Sequence, residues 1–179
     1  EKGIDTSVFF DEDGKAYLYF VRFTNGNVIW CAELKDNLKE IKEETLTQCI
    51  EAVEPWEMVF GKVAEGPSIL KRDGLYYLLY SANDFRSQDY AVGYATSDSP
   101  FGPWKKNSKN PLLHRVDELV GTGHGAPFAD KDGNLRYIFH AHKSQTEVNQ
   151  RNSYIVDMSL SGKDQVSIGG GLIRPAVVK

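Results

Sequence analysis

The chain has 179 residues, enough for one domain with a real hydrophobic core. Its formal net charge is −4 and its basic residues are scattered, which argues against a nucleic-acid partner. No apolar run approaches ~18 residues, so no transmembrane helix is expected, and no stretch reads as a secretory leader.

Three stretches share one plan. The first opens with Ile4–Phe10, turns at Asp13-Gly14 and continues as Tyr17–Phe20. Asp-Gly suits a hairpin because glycine tolerates the positive φ such turns need. An Asn25-Gly26 turn then leads to a predicted third strand, Val28–Leu34, and the mixed, charged Lys35–Thr47 reads as loop plus outer strand rather than helix. Pro55-Trp56-Glu57 marks a loop. The second unit runs Glu65–Leu70, Asp73-Gly74, Leu75–Ser81, a polar loop to Ser87, a strand over Tyr90–Thr96 and a turn at Ser99–Trp104 into an outer strand. The third runs Gly123–Phe128, Asp132-Gly133 and Tyr137–Phe139, with later strands over Asn152–Leu160 and Gln165–Ile168. Gly169-Gly170-Gly171 reads as a turn, after which Leu172–Val178 is predicted as one further strand.

The Asp-Gly turns recur with a period of about 60 residues, and short-strand repeats of this kind point to an all-β propeller. The units span about 4–63, 64–122 and 123–168, with the extra strand at 172–178 opening a further blade or closing the ring. Three blades do not close a propeller, which takes at least about four. The chain is therefore expected to work with further blades, from the same polypeptide or from another chain.

Eight residues before each Asp-Gly stand Asp5, Glu65 and His124. First strands of successive blades face one another around the axis, so three ionisable groups at one repeat position are expected to converge. Each also has a plainer reading: Asp5 as a turn cap, Glu65 as a strand-end carboxylate, His124 as a hydrogen-bonded histidine beside a tight glycine turn.

These residues resemble the motifs of glycoside hydrolase family 43. Ile4-Asp5 with Phe9–Lys15 is similar to its second-blade motif. Glu65-Gly66-Pro67-Ser68 with Tyr76–Ser81, Val92–Ala95 and Gly102-Pro103-Trp104 is similar to its third blade, and Gly121–Ala126 to its fourth-blade histidine motif. The resemblance implies a five-bladed propeller, of which this chain supplies roughly three blades, and inverting hydrolysis of xylosides, arabinofuranosides or arabinans. It implies that Glu65 is the general acid and that Asp5 tunes and orients it. No cofactor is required; in many members the histidine matching His124 neighbours a structural calcium near the axis, often through water. The family's base, an Asp of the first blade, has no candidate before Asp5, and Thr6 stands where proline often follows the second-blade Asp.

Inverting hydrolysis needs an acid on the leaving oxygen and a base about 6.5–9.5 Å away. Asp5, beside Glu65, can raise the acid's pKa by repulsion but cannot be that base. The expected function is hydrolysis of xylose- or arabinose-containing plant glycans, met outside the cytoplasm in an extracellular or periplasmic setting. The alternatives are a non-catalytic carbohydrate-binding propeller and another five-bladed sugar-acting family. His124, near the axis, Arg174, at the start of a presumed inner strand, and Trp56 and Phe85, in loops near inner-strand starts, are candidate sugar contacts; for the last three, surface or core packing is the competing reading. Calcium prefers oxygen ligands, which weighs against direct ligation by His124. His140 and His142 share a strand face and read as structural. Cys31 and Cys49 allow one disulfide, whose geometry sequence does not establish; the plainer reading is two free buried thiols.

Overall fold

The computed structural model describes residues 2–176. Its strands are β1 Gly3–Phe10, β2 Ala16–Arg22, β3 Val28–Glu33, β4 Thr47–Glu51, β5 Ala64–Arg72, β6 Leu75–Ala82, β7 Ala91–Ser97, β8 Lys105–Lys106, β9 Gly123–Ala129, β10 Leu135–Ala141, β11 Asn152–Leu160 and β12 Val166–Ile168. They form three four-stranded sheets in the orders β1-β2-β3-β4, β5-β6-β7-β8 and β9-β10-β11-β12. Every pairing is antiparallel between sequence neighbours, so each sheet is a meander. The segment expected as an outer strand holds a short 3-10 turn, Glu43–Thr45, before β4. Among the described residues no helix is long and apolar enough to cross a membrane.

The central blade shows why these sequences fold as stacked sheets. All eight residues of β6 are buried, as a strand sandwiched between two sheets requires. With a side-chain period of two, Tyr76, Leu78 and Tyr80 point to one face and Leu75, Tyr77 and Leu79 to the other. The first set packs with Tyr17, Tyr19, Val21 and Ile29 of blade one, the second with Tyr137, Phe139, Tyr154 and Val156 of blade three. Full burial of each such side chain contributes about 1.5–3 kcal/mol.

Polar clips tie the blades at their edges. Asp11, in the β1–β2 turn, accepts from Lys71 Nζ at 2.5 Å and from the Tyr76 hydroxyl of blade two. Glu57, in the 3-10 turn Pro55–Glu57, is fully buried and accepts from Tyr80 Oη at 2.6 Å, Lys106 Nζ at 2.6 Å and the amides of Val53 and Glu54 at 2.8 Å.

The outward faces of the end blades remain apolar. Val8 and Phe10 of β1 are 47 % and 62 % exposed, and Phe128 and Ile138 of blade three are 36 % and 37 % exposed. Apolar sheet faces of this kind are covered in a finished propeller.

The strand predicted over 172–178 is not formed among the described residues. Gly169, Gly170 and Gly171 all take positive φ and turn the chain back along β11, where Ile173 makes a single bridge to Ile155. This segment extends the outer edge of blade three instead of opening a new inner strand; residues 177–179 lie outside the described residues. Both cysteines are free thiols, Cys31 buried and Cys49 half-buried.

Candidate active site

Each innermost strand carries one bulge, and the three bulges build the site. Ile4 pairs with Val21 and Ser7 with Tyr19, leaving Asp5 and Thr6 opposite Phe20. Gly66 and Pro67 lie in the same way opposite Tyr80, and His124 and Gly125 opposite Phe139. The first residue of each bulge is left-handed, with φ of 55° at Asp5, 58° at Gly66 and 49° at His124. This is the conformation of a G1 bulge, which bends the strand and re-aims its side chains.

The register corrects one step of the sequence reading. Asp5 is equivalent to Gly66 and His124, whereas Glu65 stands one place earlier and is equivalent to Ile4 and Gly123. The Asp-Gly turns are imperfect reference points. Blades one and three turn through the loops Asp11–Lys15 and Asp130–Asn134, closed by Asp11 N→Lys15 O and Asp130 N→Asn134 O bonds. Blade two turns tightly at Asp73-Gly74, directly between the paired Arg72 and Leu75. The shorter turn hides a one-residue offset.

Asp5, Glu65 and His124 nevertheless meet: one polar atom of each lies within 4.8 Å of the others. Glu65 is 9 % exposed; its Oε1 accepts from Tyr90 Oη at 2.7 Å and its Oε2 from Asn27 Nδ2 at 2.9 Å. Asp5 Oδ2 accepts from the Gly66 amide at 3.3 Å, and Asp5 Oδ1 is 4.0 Å from His124 Nε2. The His124 amide donates to Ser81 Oγ at 2.8 Å, and its Nδ1 lies 3.4 Å from Tyr90 Oη. Glycine is required twice here: a Cβ on Gly66 would approach the His124 ring to 3.3 Å from a left-handed backbone, and one on Gly123 would overlap the Tyr90 ring.

The electrostatics separate the roles of these groups. Burial holds the Glu65 carboxyl above its usual range and the Asp5 charge pushes the same way, while the bonds from Tyr90 and Asn27 and the nearby His124 pull it down. The Tyr90 hydroxyl is buried beside Glu65 and is held well above the usual tyrosine range, so it stays a donor. Burial pushes His140 down to about 3, with the charge of Arg151 adding to it, so this imidazole is neutral. Its ring stacks on Tyr90 at 5.6 Å and on His124 at 6.1 Å.

Two connected hollows meet at Asp5 and His124. One, of about 440 Å³, runs along the axial faces of the inner strands. The other, of about 330 Å³, opens above Glu65 and is bordered by Asn27, Phe85 and Arg151. Phe85 therefore reaches the site. Trp56 packs against Tyr80 at 6.0 Å and beneath Gly93, in the core between blades. Arg174 lies on the outer edge of blade three with its guanidinium 5.8 Å from the Tyr154 ring, because its segment turns back along β11. His142 Nε2 donates to the Phe85 carbonyl, 2.8 Å away, and supports that loop. Tyr90, Asn27 and Arg151 were not singled out from sequence. Each immediately precedes an observed strand, β3, β7 or β11; in the sequence, Asn27 and Arg151 stand just before predicted strands and Tyr90 opens one, and only that place could have pointed to them.

As a metal site the trio is poor. Calcium takes 6–8 oxygen ligands, whereas only two of these residues offer oxygen and the Glu65 oxygens already accept bonds.

The sequence profile described as glycosyl hydrolases family 43 matches residues 1–163. The chain belongs to that family. Among curated relatives, a β-D-galactofuranosidase of Aspergillus niger is 30 % identical over 139 residues, covering 78 % of this chain and 37 % of its own length. A xylosidase/arabinosidase of Butyrivibrio fibrisolvens is 30 % identical over 146 residues, covering 78 % of this chain and 28 % of its own. A solved endo-1,4-β-xylanase structure from Bacteroides thetaiotaomicron matches all of this chain and 62 % of its own, at 60 % identity and a TM-score of 0.97. A thermostable family-43 glycoside hydrolase, at 31 % identity and a TM-score of 0.87, is matched over 60 % of its length. The chain thus spans under two thirds of each, and well under half of the first two. Three blades of five would be three fifths, which agrees with the coverage of the two solved structures.

Proposed function

We propose that this chain is the acid-bearing part of a five-bladed glycoside hydrolase that cleaves xylose- or arabinose-containing glycans with inversion. One observation carries the reading: a nearly buried carboxyl, raised in pKa by burial and by a neighbouring carboxylate, sits on two hydrogen bonds at the mouth of the axial channel. A carboxyl whose pKa is raised holds the proton that a leaving group needs to higher pH. Glu65 gives its proton to the glycosidic oxygen as the bond from that oxygen to the anomeric carbon breaks. A base takes a proton from water, and the hydroxide oxygen bonds the opposite face of the same carbon.

That base is assigned to a blade outside this chain. Asp5 is within 4.8 Å of Glu65 and bonded to the next residue's amide, too close for the water that an inverting pair holds across about 6.5–9.5 Å. Asp5 tunes Glu65 instead. The relatives differ in their named substrates, so the pentose preference rests on the xylosidase and arabinosidase names among them. A polymeric glycan is met outside the cytoplasm, and an extracellular or periplasmic location goes with this reading.

The test is turnover of xylo- and arabino-oligosaccharides by the full-length protein carrying this chain and by Glu65→Gln. General acid catalysis contributes roughly 10²–10⁴-fold, and a loss of that size is expected, with residues 1–179 alone inactive. Undiminished turnover by Glu65→Gln sinks the acid assignment. A full-length protein that binds these sugars and cleaves none is a binding propeller.

A further inference from the structure

Asn83 is the first residue after β6, fully buried, with a left-handed backbone at φ 72°. Asparagine is among the few residues with a side chain that accept this conformation. Its Nδ2 donates to the Trp56 carbonyl at 2.6 Å and to the Asp89 carbonyl at 2.8 Å, and its Oδ1 accepts from the Val59 amide at 2.7 Å. Both amide protons and the side-chain oxygen are used, each on a backbone group, and these partners allow only one orientation of the amide. The bonds join two loops. Trp56 and Val59 lie in the connection from β4 to β5, and Asp89 stands near the end of the loop from β6 to β7.

The bond to Asp89 bears on the acid. The peptide unit between Asp89 and Tyr90 has its carbonyl held by Asn83 and its N–H bonded to the Ser87 carbonyl at 3.2 Å. From that fixed peptide Tyr90 reaches Glu65 with its hydroxyl, 2.7 Å from Oε1. The hydroxyl lies at the far end of a rigid ring, so any rotation of the peptide is magnified there. The side-chain ties of Asp89 are exposed: its carboxylate meets His114 at 3.2 Å and Arg115 at 3.1 Å. Exposed pairs of this kind hold weakly, which leaves the buried amide as the firmer tie. Resting on the hydrolase reading above, we infer that Asn83 is a positioning residue of the general acid: it locks the Asp89–Tyr90 peptide to the blade connection and so holds the Tyr90 hydroxyl on Glu65.

The experiment is the profile of kcat/KM against pH for the full-length protein on a xylo- or arabino-oligosaccharide, in a cycle of wild type, Asn83→Gly, Tyr90→Phe and the double variant. Glycine keeps the left-handed backbone and removes only the side-chain amide. With the Tyr90 hydroxyl loosened, Glu65 holds its proton to higher pH. The basic limb is therefore expected to rise in Asn83→Gly by part of the shift that Tyr90→Phe produces, about 1 pH unit. In the Tyr90→Phe background no hydroxyl is left to place, and Asn83→Gly is expected to add nothing. The titratable and charged groups facing Glu65 are Asp5, Asp84, Tyr90, His124 and Arg151, with His140 stacked on Tyr90. Asp84 adjoins Asn83, and a shift caused by its displacement would persist without the hydroxyl. An unmoved or falling limb in Asn83→Gly, or a rise of equal size in both backgrounds, overturns the inference. If the glycine variant does not fold, Asn83→Asp takes its place in the cycle: it suits a left-handed backbone, still accepts from Val59, and when ionised donates to neither carbonyl. The part of its shift that vanishes with Tyr90→Phe is the part the hydroxyl carries, and a shift with no such part overturns the inference. Loss of turnover in Glu65→Gln beside an unmoved limb in Asn83→Gly removes this inference alone. Undiminished turnover by Glu65→Gln removes the acid, and both readings fall together.

Discussion

Tyr90→Phe separates the two opposing influences on the acid. Tyr90 is fully buried, and its hydroxyl gives Glu65 one of its two hydrogen bonds. Phenylalanine keeps the ring, its stacking on His140 and the volume beside Gly123, and removes only the donor. A hydrogen bond to an ionised acceptor contributes about 1.5–3 kcal/mol, against about 0.5–1.5 kcal/mol for a neutral pair. The ionised carboxylate therefore loses roughly 1–2 kcal/mol more than the protonated carboxyl does. Asp5, Asn27, His124 and Arg151 still face the group, so the loss is not replaced by another charge. The bond favours the charged form, so its removal raises the pKa of Glu65 further. The acid then stays protonated to higher pH, and the basic limb of the profile of kcat/KM against pH moves up. The assay is that profile for the full-length protein on a xylo- or arabino-oligosaccharide, wild type beside Tyr90→Phe. A basic limb that stays still or moves down refutes the reasoning, because Tyr90 would then not be stabilising the charged form of the acid.

Asp5→Asn removes the repulsion that adds to burial, so the basic limb is expected to move the opposite way, to lower pH, in the same assay. Glu65→Gln is expected to stabilise the fold near neutral pH. A carboxyl whose pKa rises on folding loses stability as pH climbs from its unfolded value, about 4.3, through its folded value, so the gain over wild type should vanish on acidification toward about pH 4 in urea-unfolding midpoints. Glu57→Ala leaves the Lys106 ammonium and the Tyr80 hydroxyl without their shared buried acceptor and should cost about 3–5 kcal/mol in the same unfolding measurement. Gly123→Ala drives a methyl into the Tyr90 ring and should cost about 1–3 kcal/mol, together with a loss of activity that Gly133→Ala, in an open turn, does not share.

The blades were legible because the signals that specify them are local. Period-two patterning around Asp-Gly turns marks β1–β2, β5–β6 and β9–β10, and the run Leu75–Ala82 is apolar on both faces because sheets cover both. The last strand was misread for a physical reason. Leu172–Val178 has strand composition, but composition does not say which edge a strand joins, and the glycine run before it folds the segment back onto β11. Arg174 was displaced from the axis with it. Asn27, Tyr90 and Arg151 escaped notice because each reaches Glu65 or its cleft from a loop whose path depends on tertiary packing.

Asp5 and Glu65 lie side by side because they are not equivalent in the repeat. Had Glu65 occupied the first bulge position, as Asp5 and His124 do, a left-handed backbone at the acid would have aimed its carboxylate as theirs are aimed. Instead Gly66 takes that position, and its amide receives the Asp5 carboxylate. Asp5 is thus fixed to the backbone of its own counterpart in the next blade, one residue from the acid. Glu65, still on regular strand before the bulge, turns its two oxygens to Tyr90 and Asn27. The bond that orients Asp5 and the bonds that orient Glu65 use different donors, so the two carboxylates lie side by side without competing for hydrogen bonds. Their remaining interaction is repulsion across a short, largely buried gap, which adds to burial in raising the pKa of Glu65.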